Sequence, residues 1–105
     1  MPLPELDDDA RRDALNKAAE ARKLRAEMKQ RLKAGEIDLH KVLDRADDDE
    51  VIAKTRVSEI LEALPKVGRV RARRIMERLD ISSSRRLRGL GVNQRDRLLA
   101  EFAPR

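Results

Sequence analysis

The run from Ala10 to Ala34 constrains this chain more than any other feature. Its residues are almost all strong helix formers, so it reads as one continuous helix reaching roughly 37 Å. Asp7, Asp8 and Asp9 supply N-cap candidates and first-turn negative charge, and Gly35 is a C′ stop. The first half of the helix offers only Leu15 among alanines. The second half carries an apolar stripe at Ala21, Leu24, Met28 and Leu32. The spacing predicts that the C-terminal half packs on the rest of the chain while the N-terminal half projects. Arg11, Arg12, Lys17, Arg22 and Arg25 on that projection either touch phosphate or pair with Asp13 and Glu20 on a solvated face.

The rest is punctuated into shorter helices. Asp38 caps a helix from Leu39 to about Arg45, and Asp47-Asp48-Asp49-Glu50 ends it and can cap the next. Val51–Lys54 leads into a helix Arg56–Leu64 with the stripe Val57, Ile60, Leu61 and Leu64, stopped by Pro65. After Lys66-Val67-Gly68, a helix from about Arg69 to Leu79 repeats the spacing at Ala72, Ile75, Met76 and Leu79. Ser82–Ser84 form a turn or a short capped helix, and Gly89-Leu90-Gly91 is a second break. Asn93 caps a last helix, with Asp96 as an imperfect capping-box partner and Leu98, Leu99 and Phe102 on its core side. No segment alternates with period two, so the expected fold is all-α, with five or six helices. Residues 1–6 (Met-Pro-Leu-Pro-Glu-Leu) read as a disordered lead, 7–35 as the long charged helix and 36–105 as a compact helical domain.

Charge is distributed unevenly. The net charge is +5 over 105 residues, yet residues 1–50 sum to −3 and residues 51–105 to +8. Lys66–Arg88 alone holds nine basic residues against Glu77 and Asp80. A field of this kind attracts a polyanion. There is no cysteine, which excludes disulfides and thiolate metal sites. No apolar run approaches a membrane span, and the expected location is the cytoplasm. His40 stands apart from any metal-spaced cluster, and the acidic run at 47–50 lacks the alternation of a calcium loop. No nucleophile–base arrangement or Walker loop is present. The expectation is a binding protein rather than an enzyme, without cofactor or metal.

Two segments carry the binding chemistry. At Lys66-Val67-Gly68 one helix ends and the next begins, and the first amides of a helix have no intrahelical partner. Gly68 lets a phosphate oxygen approach the backbone, and Lys66, Arg69 and Arg71 surround it with charge. Val70 and Arg74 lie on the same helix start. In Ser82-Ser83-Ser84-Arg85-Arg86-Leu87-Arg88-Gly89-Leu90-Gly91, Leu87 and Leu90 can anchor the segment. That would leave Arg85, Arg86 and Arg88 facing one way, with Ser82 and Ser84 as further donors. The two segments are expected to form one cationic cradle. Single-strand and RNA modules generally stack bases on aromatic rings. This chain has only Phe102, which reads as core, so the expected partner is a duplex held by its phosphates. RNA or the ribosome, gripped by the same turns, is the alternative.

Leu64–Ala72, Ile75–Leu79, Ile81, Arg85–Gly91 and the helix after Asn93-Gln94 resemble a helix–two-turns–helix module, placed at about residues 55–103. A ribosomal protein of the small-subunit head and the formamidopyrimidine glycosylases carry such a module. The whole chain more closely resembles the actinobacterial (mycobacterial) integration host factor family. That resemblance implies a nucleoid-associated protein that binds double-stranded DNA with little sequence preference, bends or compacts it, influences transcription and assists phage integrase; the expected state in solution is a monomer. It further implies that Arg85, Arg86 and Arg88 contact phosphate and that Lys66, Gly68 and Val70 supply turn contacts.

Overall fold

A computed structural model describes residues 8–103; the lead assigned to residues 1–6 lies outside them. The described chain folds into six α-helices and one 3-10 turn, with no strand among these residues. Helix α1 spans Asp8–Lys33, α2 Leu39–Asp48, α3 Glu50–Ala53, α4 Val57–Ala63, α5 Gly68–Arg78 and α6 Val92–Glu101; the 3-10 turn is Leu87–Gly89.

Helix α1 behaves as its sequence dictates. Met28 and Leu32 are buried and Ala21 and Leu24 half-buried, whereas every residue from 11 to 20 is exposed. Its inner half packs on α3 and α4, and its outer half extends the molecule to 59 Å along its longest axis. The helix closes in a Schellman motif. Gly35 takes φ 76°, the Glu36 amide donates to the Arg31 carbonyl (2.9 Å) and the Gly35 amide to that of Leu32 (3.1 Å).

Side-chain caps set the next two helices. Asp38 accepts from the Lys41 amide (2.9 Å) at the start of α2. Asp49 serves two helices at once. Its amide donates to the Arg45 carbonyl (2.8 Å), and its carboxylate accepts from the amides of Val51 (2.9 Å) and Ile52 (3.4 Å). The residues expected to lead into the following helix therefore form a helix of their own, and α2 runs three residues past Arg45.

The core gathers around α4. Leu32, Val42, Leu43, Val57, Ile60, Leu61 and Leu98 are essentially inaccessible. Burying each such side chain is worth roughly 1.5–3 kcal/mol. Phe102 packs against this cluster at its edge, half-buried. Helix α5 ends in a second Schellman motif that the sequence reading did not find. Asp80 takes φ 57°, the Ile81 amide donates to the Met76 carbonyl (2.8 Å) and the Asp80 amide to that of Glu77 (3.2 Å). Asp stands where Gly is usual because its short polar chain tolerates the left-handed region, and buried Ile81 supplies the accompanying apolar contact.

The start of α6 corrects the Asn93 cap. The N-cap is Gly91, two residues earlier. Gln94 is the third helical residue; its Oε1 accepts from the Gly91 amide (3.1 Å) and its Nε2 donates to the Asp80 carbonyl (3.1 Å). Gln94 prevails because one amide group both caps α6 and ties it to the end of α5.

Candidate nucleic-acid interface

The segment from Ser82 to Leu90 is held to the body by main chain. Leu87 is buried and Leu90 half-buried. The Val57 amide donates to the Arg85 carbonyl and the Leu87 amide to the Thr55 carbonyl, both at 2.9 Å, an antiparallel bridge between Arg56 and Arg86. Thr55 is buried, its hydroxyl satisfied by the Val51 carbonyl (3.0 Å). This short pairing fixes where the arginines leave the backbone.

Arg85 folds over Gly89 and its Nη1 donates to the Gly89 carbonyl (3.0 Å). A Cβ on Gly89 would come within 3.0 Å of the Arg85 Cδ, so this glycine makes room for that fold. Arg86 Nη1 donates to the Lys54 carbonyl (2.6 Å). Arg88 is exposed. Ser82 and Ser84 bond to each other through their hydroxyls (3.1 Å). Ser82, Ser84, Arg85, Arg86, Arg88 and Gly89 line one shallow cleft of about 310 Å³, with no carboxylate in its wall among the described residues. A carbonyl engages one of the five guanidinium N–H donors and leaves the positive charge whole. Arg85 and Arg86 are thus oriented without being neutralised.

Arg86 also lines a second cleft of about 360 Å³ between α1 and the start of α4. Arg22, Arg25 and Lys29 of α1 face Lys54 and Arg56 there, and Glu59 is the one carboxylate in its wall among the described residues. Sequence reading named Arg22 and Arg25 but missed Lys29, Lys54 and Arg56, which are scattered in sequence and meet only when α1 crosses α4. Lys54 has a partner, the Glu50 carboxylate at 2.8 Å. That hydrogen bond, with Arg88 adding a smaller share, holds the Glu50 carboxyl below the usual range. Among the described residues, Arg11, Arg12, Lys17, Arg22 and Arg25 form no ion pair with Asp13 or Glu20.

The third cationic region is the turn into α5. Lys66 (φ 65°) and Gly68 (φ 67°) both take left-handed backbone, and the space above Gly68 is open. No side chain caps α5, and the carbonyls that would serve the amides of Gly68, Arg69 and Val70 lie before the helix begins. Arg69, Val70, Arg71 and Arg74 are exposed, Val70 at 65%, and Arg71 Nη1 reaches the Lys66 carbonyl (3.5 Å). Val67 turns inward. Its side chain is buried and its amide donates to Leu64 (3.2 Å), so it shapes the turn and has no side chain to offer a ligand.

The two segments meet only in part: Arg69 and Ser83 line one cleft between α4 and α5, whereas Arg85, Arg86 and Arg88 open into another. The Arg86 bridge sits before α4 and Lys66–Gly68 follow it, so the helix, about 10 Å long, stands between them. Other cations are neutralised. Arg95 of α6 reaches Asp47 (3.0 Å) and Asp44 (3.3 Å) of α2. Its hydrogen bond holds the Asp47 carboxyl below the usual range and raises Arg95 in return. Arg78 pairs with Glu101, and His40 Nδ1 lies 3.1 Å from Asp44. No group of three or more potential ligands could hold a metal ion among the described residues. No helix there is long and apolar enough to cross a membrane.

Known proteins share this chain's fold and most of its sequence. The S13-like H2TH domain family matches residues 32–102. The chain is 56% identical to the integration host factors of Mycolicibacterium smegmatis and Mycobacterium tuberculosis, over 97% of its length and 97% of theirs. It is 54% identical to that of Streptomyces coelicolor, over 97% of its length and 95% of that protein. A solved structure of sIHF bound to an 8-bp palindromic DNA superposes with a TM-score of 0.82 at 55% identity, covering 84% of this chain and 99% of that one. With its S13-like H2TH module and an all-helical fold built on a long charged N-terminal helix, this chain belongs to the actinobacterial integration host factor family.

Proposed function

We propose that the protein is a non-enzymatic, architectural DNA-binding protein that grips the phosphates of a duplex with little sequence preference and thereby bends or compacts it. The observation that carries this reading is the Ser82–Gly89 cleft: three arginines, two of them set by main-chain carbonyls, with no carboxylate in the wall among the described residues. The turn at Lys66–Gly68 provides the second grip, with Arg69, Val70, Arg71 and Arg74 around it. The 10 Å of α4 between the two turns is comparable to a DNA groove, whose major form is about 12 Å wide. The Arg22–Arg25–Lys29 face of α1 extends the cationic surface toward a further stretch of backbone. The DNA-bound relative supports duplex DNA as the partner. The family supports roles in nucleoid organisation and in phage integration beside an integrase.

The test is a salt titration of binding to unrelated duplexes, with duplex RNA as competitor. Similar affinities across DNA sequences and a steep linear fall with salt are expected. Equal or tighter binding to duplex RNA would favour an RNA-associated role instead.

A further inference from the structure

Helix α3 has only four residues, yet it packs on α1 and also on the 3-10 turn Leu87–Gly89. It therefore stands beside both the α1 cleft and the Ser82–Gly89 cleft. Glu50 opens this helix and Lys54 follows its last residue. Four positions apart with the acid first is the favourable order on a helix, and Lys54 Nζ sits 2.8 Å from Glu50 Oε1.

Each cleft has a cation that feels this carboxylate. Lys54 lines the α1 cleft beside Arg56 and Arg86, and its ammonium is the group that Glu50 holds. Arg88 lines the other cleft, and its charge acts on the Glu50 carboxyl in the same direction as that of Lys54, to a smaller extent. Glu50 itself lines neither cleft. Glu59 does line the α1 cleft but forms no ion pair among the described residues. The start of α3 does not need the Glu50 side chain, because the Asp49 carboxylate already accepts from the Val51 and Ile52 amides.

We propose that Glu50 is an internal competitor for duplex phosphate, holding the Lys54 ammonium and damping Arg88 until a phosphate displaces it. This role depends on the two clefts being grips for duplex phosphate. Both side chains of the pair are exposed, and an exposed pair is weak enough to exchange. The lysine ammonium turns on a flexible stem with three donors, so it can leave the carboxylate for a phosphate. The Lys54 carbonyl keeps Arg86 in place meanwhile, since the main chain takes no part in the exchange. Glu50 thus sets how tightly the duplex is held and how readily it is released.

The experiment compares duplex binding by the whole protein and by the variants Glu50→Gln, Lys54→Met and the two combined, over a range of salt. Glu50→Gln is expected to tighten binding about fivefold, the upper end of what an exposed pair is worth, mostly through slower dissociation. The salt slope should steepen by about 0.9, as for one more phosphate neutralised. Lys54→Met should cost less than about twofold in the parent and about fivefold beside Glu50→Gln, the coupling that a displaced partner produces. Glu36→Gln removes the same charge outside both clefts and should leave binding nearly unchanged. Equal binding by the parent and Glu50→Gln, an equal cost of Lys54→Met in both backgrounds, or the same gain from Glu36→Gln would each overturn the proposal and leave the duplex reading standing. A parent that does not bind duplex DNA would overturn both.

Discussion

Arg86 and Arg95 are both surface arginines held by hydrogen bonds across the fold, and they end in opposite electrostatic states. Arg86 rests on the carbonyl of Lys54, and Arg95 rests on the carboxylates of Asp47 and Asp44. A carbonyl orients a guanidinium and leaves its field intact, whereas a carboxylate orients it and cancels the field. The loop Ser82–Gly89 and helix α6 therefore use one residue type for different ends. The loop presents charge to a partner, and α6 spends charge on staying attached to α2 and α5. Counting arginines does not separate the two; the partner atom does.

The comparison fails if the two sets prove interchangeable. The largest expected effect comes from replacing Arg85, Arg86 and Arg88 by alanine together. Duplex binding should weaken roughly 100-fold, and the salt slope should fall by about three, near 0.9 for each phosphate no longer neutralised. Thermal stability should change little, as melting of the same variant would report. Gly68→Ala comes next. It forces a side chain into left-handed backbone at roughly 1–2 kcal/mol, read by urea unfolding, and weakens duplex binding at the second turn.

Arg95→Met inverts the first result. The melting temperature should drop by a few degrees while duplex affinity at fixed salt stays within twofold. Acid sharpens the same point. The Asp47 carboxyl is held low by Arg95, so its contribution is present above the ordinary aspartate range and is lost as the pH falls through that lowered value. The melting difference between the parent and Arg95→Met should shrink on acidification, with the loop arginines still charged. Leu15→Ala gives the smallest effect. Leu15 is 69% exposed on the projecting half of α1, and the melting temperature should not move; a clear drop would mean that the outer half of α1 is packed.

Most of the fold was legible because its helices rest on local signals. The stripes at Val57–Leu64 and Ala72–Leu79 lie within one residue of α4 and α5, and Gly35 ends α1 as its backbone freedom predicts. The misreadings fall where one residue answers to a distant partner. Gln94 displaced Asn93 because it also reaches Asp80, and Asp80 closed α5 because Ile81 had a core to enter. At the candidate site, the Lys66–Gly68 and Ser82–Arg88 clusters stood out because their charges are adjacent in sequence. Lys29, Lys54 and Arg56 did not, because they join Arg22 and Arg25 only across α1 and α4.

From its residues alone, the chain settles its helical class, its punctuation and its cationic C-terminal half, since each depends on neighbours within a few positions. Tertiary structure alone assigns each cation its partner. It also sets the two turns at opposite ends of α4 and opens the cavity between α4 and α5. Electrostatic attraction depends on distance through space, and the packing of α1 and α6 on α4 determines those distances.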